Sequence, residues 1–223
     1  MGDRHLQNIL LDLNDGSLVH IDFGYAFGTA TAALPIPELV PFRATGAMLG
    51  GLAPGADAAE AVGGDMAAAM HALRRGAALL RGIMDVFLRE PLVDWQREAR
   101  QARVKAGRAG STSGVNLGVD PDGQEVDEGE FVELKIVHAW GKLELANPAH
   151  VTLAQCAAKH EGQAHWEGLR EIVLGTTPGP VKSRRAAAGE TCGSVEEQVR
   201  CLLELATDPL VLATAWSGWR PWL

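Results

Sequence analysis

The chain has 223 residues, 47% hydrophobic and 22% charged, a composition that fits a globular protein with a sizeable core and excludes a disordered one. Its 20 basic and 28 acidic residues give a net charge of −8, which argues against this piece being a nucleic-acid-binding surface by itself, because phosphate contacts need clustered cations. Cys156, Cys192 and Cys201 form no C-x-x-C pair and suggest reduced thiols in an intracellular protein, and no apolar run reaches membrane-spanning length.

The chain opens on Gly2-Asp3-Arg4-His5-Leu6-Gln7-Asn8, and Ile21-Asp22-Phe23-Gly24 follows after one short hairpin. Ile9–Leu13 and Ser17–Ile21 read as two strands, with Asn14-Asp15-Gly16 as the turn between them. Asn8 and Asp22 are equidistant from Asp15, so a hairpin closed there brings both to one open end. An amide oxygen beside a carboxylate suits a hard cation such as Mg²⁺ bridging triphosphate oxygens. Asp3 precedes Asn8 by the spacing that separates the catalytic Asp of protein kinases from their magnesium-binding Asn, and D-F-G carries their second magnesium ligand.

From Ala58 to Leu88 the residues turn to Ala, Leu and Met at helical spacing, with Met66, Met70, Leu73, Ala77 and Leu80 on one core-facing stripe. Gly63-Gly64 and Gly82 are expected to break helices, and Glu90-Pro91 to end the second one. Residues 96–108 are basic and helical in character, and 109–130 read as a flexible insertion. Helices resume from Lys135, with Asn147-Pro148 as a turn, Leu153–Leu174 as a helical hairpin and 178–189 as a mobile basic loop. Ser194-Val195-Glu196-Glu197 is a capping box before a helix whose buried face is Val199, Leu202, Leu203 and Ala206. Asp208-Pro209 starts a last helix, followed by Trp216, Trp219 and Trp222.

Ordinary protein kinases write His before the catalytic Asp, whereas here His5 follows Asp3, an order that resembles the phosphatidylinositol 3-kinase-related kinases. Further likeness lies in Leu34-Pro35-Ile36-Pro37-Glu38-Leu39-Val40-Pro41-Phe42-Arg43, in His71-Ala72-Leu73-Arg74 and in Met84–Pro91. The last residues, Ala206-Thr207-Asp208-Pro209 through Leu223, resemble the short C-terminal module called FATC. The resemblance implies a mainly α fold with a small β-hairpin: a protein-kinase-like large lobe part over 1–100, a helical extension with flexible insertions over 101–190, and a FATC-like module over 191–223. It implies serine/threonine phosphoryl transfer from ATP with Mg²⁺, protein substrates and a nuclear role in DNA double-strand-break repair by non-homologous end joining. DNA would be reached only indirectly, through other regions or a DNA-end-binding partner.

On that likeness Asp3 is the catalytic base, His5 a donor near the transferring phosphoryl group and Arg4 a brace of the loop. Asn8 and Asp22 hold magnesium and nucleotide, and Asp22, Phe23, Gly24, Pro37, Glu38 and Phe42 mark the activation segment. Between Tyr25 and Phe42 there is no basic residue and one acid, Glu38, which suits a peptide better than a phosphoinositide head group.

A kinase also needs a glycine-rich phosphate loop and a strand Lys. Gly175–Ser183 is a poor substitute, because Pro178 and Pro180 remove amide donors. The small lobe and helical-repeat regions of a parent chain are therefore expected to be missing, and the isolated piece to be inactive. A non-catalytic scaffold lobe, a gene-model fragment and a phosphoinositide kinase stay open as alternatives. His160 and His165, five apart, are expected to point to different faces of one helix and so not to share zinc. Glu196-Glu197 reads as solvated surface.

Overall fold

The computed structural model describes residues 5–25, 36, 38–52, 57–89, 136–137, 139–176 and 183–214. Among these the protein is mostly helical, with one two-stranded antiparallel sheet. The chain divides into two compact units, Met1–His71 with Leu145–Leu223, and Ala72–Glu144.

In the first unit a 3₁₀ turn (Leu6–Asn8) leads into β1 (Ile9–Leu11), which pairs with β2 (Leu18–His20). A short α1 (Gly46–Leu52) follows, capped by Thr45, whose hydroxyl accepts from the Met48 amide at 3.3 Å. Next comes α2 (Ala58–Arg75), which runs unbroken through Gly63-Gly64, against expectation. The reason is packing: a Cβ on Gly63 would lie 3.2 Å from Leu203 Cδ1, so the glycine serves close helix approach.

The break falls instead at Gly76, before α3 (Ala77–Arg89), and Gly82 also stays helical. Of the expected stripe, Met66 and Met70 pack against Val195, Val199 and Leu203, and Ala77 and Leu80 are partly buried, but Leu73 is half exposed. In the second unit the Arg74 guanidinium donates to the Leu143 carbonyl, and Arg81 lies 5.3 Å over the Trp140 ring.

The C-terminal part of the first unit is a helical cluster. Asn147 caps α4 (Pro148–His160), its Oδ1 accepting from the Ala149 amide at 3.1 Å, with Pro in the first turn where its missing N–H costs nothing. The turn at 161–165, with Gly162 at φ 80°, leads to α5 (Trp166–Leu174). The stretch read as a mobile loop is partly built structure: α6 (Arg184–Ala187) is capped by Ser183, and Arg185 is buried. Its guanidinium donates to the carbonyls of Ile172 and Glu204 and pairs with the Asp208 carboxylate. Asn147 Nδ2 donates to the carbonyls of Arg185 (2.7 Å) and Gly189 (2.6 Å). Residues 177–182, including Pro178, Pro180 and the Lys of the phosphate-loop lookalike, lie outside the described residues.

At α7 (Val195–Thr207) the serine half of the capping box forms, Ser194 Oγ accepting from the Glu197 amide at 3.1 Å, while the Glu197 carboxylate reaches one residue further back and accepts from the Gly193 amide. Asp208 caps α8 (Pro209–Ala213) by accepting from the Leu210 and Val211 amides. The core gathers Leu39, Leu153, Cys156, Trp166, Val173, Leu205 and Val211; a second cluster joins Val195, Val199 and Leu203 to Phe42, Val62, Met66 and Met70. All three cysteines are buried free thiols, and burial pushes Cys201 up to about 12.

Candidate functional site

The hairpin sets the site. Gly16 at φ 78° allows the tight turn, and the Asp12 amide donates to Ser17 O at 2.8 Å, closing a loop over 13–16. Asp12 Oδ1 accepts from the Asn14 amide at 2.8 Å, and Asp15 Oδ1 accepts from Ser17 at 2.8 Å, a bond that holds the Asp15 carboxyl below its usual range. This turn fixes the register Ile9↔His20, Leu10↔Val19 and Leu11↔Leu18.

The centre of the hairpin therefore falls between Asn14 and Asp15, half a residue from the expected point. Asn8 faces Ile21, whose amide donates to Asn8 O at 3.0 Å, and Asp22 comes one position later. A regular strand would put Ile21 and Asp22 on opposite faces. Asp22 instead adopts φ 55°, a left-handed conformation uncommon outside glycine, which ends the alternation at this residue. Its Oδ1 accepts from the Gly24 amide at 3.2 Å, and a Cβ on residue 24 would lie 3.3 Å from that oxygen, so glycine there keeps the turn open.

Asn8 is buried and closes the 3₁₀ turn, its amide donating to His5 O at 2.9 Å. The His5 ring folds back on the same turn: Gln7 N–H donates to Nδ1 at 3.2 Å, and the Asn8 side chain lies 3.3 Å from Nε2. One amide and one carboxylate at the open end of a hairpin are donors that fit a hard cation such as magnesium. Asp3, Arg4 and Pro37 lie outside the described residues.

Downstream, Leu39 is buried in the main core, and Phe42 packs with Val195, Val199 and Leu203 of α7. Ala44 N–H donates to Ala206 O at 3.1 Å. The end of the expected activation segment is thus bonded directly to the first C-terminal helix. Glu38 is partly buried, and its charge opposes the burial that lowers Arg43 to about 10.

Two sequence readings change here. His160 ends α4 and His165 precedes α5, so the chain turns between them and the rings meet, with Nδ1 and Nε2 3.1 Å apart. Their centroids are 5.3 Å apart, with the ring planes 68° from parallel, so the two rings meet edge to face. Glu196 is not simply solvated: its Oε1 lies 2.9 Å from His71 Nε2, and that contact first, with hydrogen bonds at the helix start, lowers its carboxyl to about 2. Neither pairing shows locally, since one needs a helix break and the other joins helices far apart in sequence.

Residues 1–97 match the family model for phosphatidylinositol 3- and 4-kinase, and residues 192–223 match the FATC domain. The chain is 39% identical over 220 residues to a DNA-dependent protein kinase catalytic subunit of Dictyostelium discoideum, covering 98% of this chain. It is 34% identical to that of Mus musculus and 29% identical to a serine-protein kinase ATM of Sus scrofa, each across 100% of this chain. The chain spans about 5% of the length of the first two and about 6% of the third.

Proposed function

Since this chain belongs to the phosphatidylinositol 3-kinase-related protein kinases and matches their C-terminal part, we propose that it supplies the magnesium-binding and acceptor-activating residues of an ATP-dependent serine/threonine protein kinase. The observation that carries this reading is the hairpin whose open end holds Asn8 beside the left-handed turn at Asp22. Residues 1–100 form the large-lobe part, 101–190 a helical extension and 191–223 the FATC module. The small lobe, which covers the nucleotide phosphates, and the helical-repeat regions belong to the rest of a longer kinase.

Asn8 Oδ1 and the Asp22 carboxylate would hold magnesium, which when bound neutralises charge on the phosphates. Asp22 keeps its backbone position through the Gly24 amide, so its carboxylate is oriented before nucleotide arrives. Asp3 orients the acceptor hydroxyl and takes its proton, with Arg4 bracing the loop. Little covalent chemistry is asked of the protein; positioning and charge carry the rate. The likeness to kinases named DNA-dependent supports a nuclear role in double-strand-break repair. With a net charge of −8 this region would meet DNA only through other regions or a DNA-end-binding partner.

The stretch from Tyr25 to Phe42, with Glu38 as its one charged residue, favours a peptide over a polyanionic lipid head group. A full-length kinase carrying this region is expected to phosphorylate serine- or threonine-containing peptides and to leave phosphoinositide vesicles unmodified. Comparable turnover on the vesicles would contradict the protein-kinase reading.

A further inference from the structure

His160 closes α4 and His165 is the N-cap of α5, so their contact ties together the two sides of the corner between these helices. His165 makes no side-chain bond to the amides of its own helix start; its Nε2 meets His160 Nδ1 at 3.1 Å instead. Of two facing imidazole nitrogens, one must donate and the other accept. The helix ends assign the roles. A cation is favoured at the C-terminus of α4 and disfavoured at the N-terminus of α5, so the proton belongs on His160 Nδ1 and His165 Nε2 accepts. His160 is buried, and the corner is held further by backbone bonds from the amides of Glu161, Gln163, Trp166 and Leu169.

We propose that the His160–His165 pair is an acid-sensitive latch across the α4–α5 corner, closed while one of the two facing nitrogens lacks a proton and opened when both rings are protonated. With both protonated, N–H faces N–H and two cations share the corner, whatever else either ring touches. Neighbouring charges do not relieve this. Glu161 follows His160 directly, and on α5 Glu167 pairs with Arg170 at 2.9 Å, with Glu171 next to it. On α7, which packs against α4, Glu196, Glu197 and Glu204 are bonded to His71, Gly193 and the start of α6, and Arg200 is exposed. The last helix, α8, packs against α5 and carries no charged residue. Carboxylates nearby favour a protonated ring but leave the two N–H groups opposed. The folded corner therefore binds fewer protons than two free imidazoles. Its contribution is present above the ordinary histidine value of about 6.5 and is lost as pH falls below it. Leu153, Cys156, Trp166 and Val173 of these two helices belong to the core that buries Leu39, so the latch secures the helices that hold the segment after Asp22.

Amide hydrogen exchange in the 223-residue chain tests this, with rates corrected for the intrinsic effect of pH. Between about pH 7.5 and about pH 5, the amides of Glu161, Gln163, Trp166 and Leu169 should lose about 2- to 10-fold in protection relative to those of α7, the fold-change that one ordinary hydrogen bond supplies. His165→Gln, whose amide oxygen accepts from His160 at any pH, should hold that ratio constant over the same range. An equal loss in wild type and His165→Gln would overturn the proposal. So would corner protection in the wild type that does not change with pH, an outcome read from the wild type alone even where the variant fails to fold.

Discussion

Asp22 shows how much of the site its sequence carried and where local reading ran out. Its place in D-F-G and its distance from Asn8 are the grounds for proposing it as a cation ligand, and the hairpin brings the two to one end. The half-residue offset came from the turn, because Gly16 at φ 78° closes a four-residue loop whose geometry strand patterning does not reveal. Glu196 was misread for another reason: its partner His71 lies 125 residues away. Its depressed carboxyl gives a directional prediction. The His71–Glu196 contribution is fully present above the ordinary carboxylate value of 4.5 and is lost as pH falls through about 2. Denaturant midpoints of wild type and Glu196→Gln should therefore differ at pH 6 and converge near pH 2. A gap that stays constant across this range would show that the contact does not titrate.

Among the helices, capping chemistry was legible and long-range closure was not. Ser194 and Asp208 cap α7 and α8 through contacts confined to the next three residues, so the sequence alone places both helix starts. Gly63 misled because its partner, Leu203, belongs to a helix far away in the chain. The same holds for Arg185, which locally is one more cation in a basic stretch yet is 1% exposed and paired with Asp208. Breaking a buried pair from one side leaves an uncompensated charge, at a cost of about 3–5 kcal/mol. Arg185→Leu is expected to lower stability by that order, while the double change with Asp208→Asn recovers part of it, as the second charge is no longer stranded. Chemical denaturation of the single and double variants checks this, and a single variant within about 0.5 kcal/mol of wild type would remove the pair from the account.

Across the whole chain, the bond from Ala44 to Ala206 and the packing of Phe42 on α7 tie the segment after Asp22 to the C-terminal helices. The residues that make this contact have no local signature in the sequence, because their partners lie more than 150 residues away. Trp216, Trp219 and Trp222, the basic stretch over 96–108 and the insertion over 109–130 lie outside the described residues. The 223 residues carry no glycine-rich phosphate loop with its strand Lys, and they span about 5% of the length of the DNA-dependent relatives. Expressed by itself, the chain is expected to show no peptide phosphorylation above background in a radiolabelled-ATP assay. Robust activity that disappears with Asp22→Ala would mean that these residues suffice.

The division of labour among Asp3, Asn8 and Asp22 is decided by nucleotide binding and single-turnover rate in a full-length kinase. Asp22→Ala removes the one carboxylate assigned to the cation, a stabilisation of several kcal/mol, so turnover should fall by about a thousandfold or more along with magnesium-dependent nucleotide affinity. Asp3→Asn should cut turnover while nucleotide affinity stays near that of wild type, because Asp3 acts on the acceptor hydroxyl. Asn8→Ala should fall between them, keeping the Asp22 charge. Loss of nucleotide binding in Asp3→Asn as severe as in Asp22→Ala, with circular dichroism unchanged, would contradict this assignment.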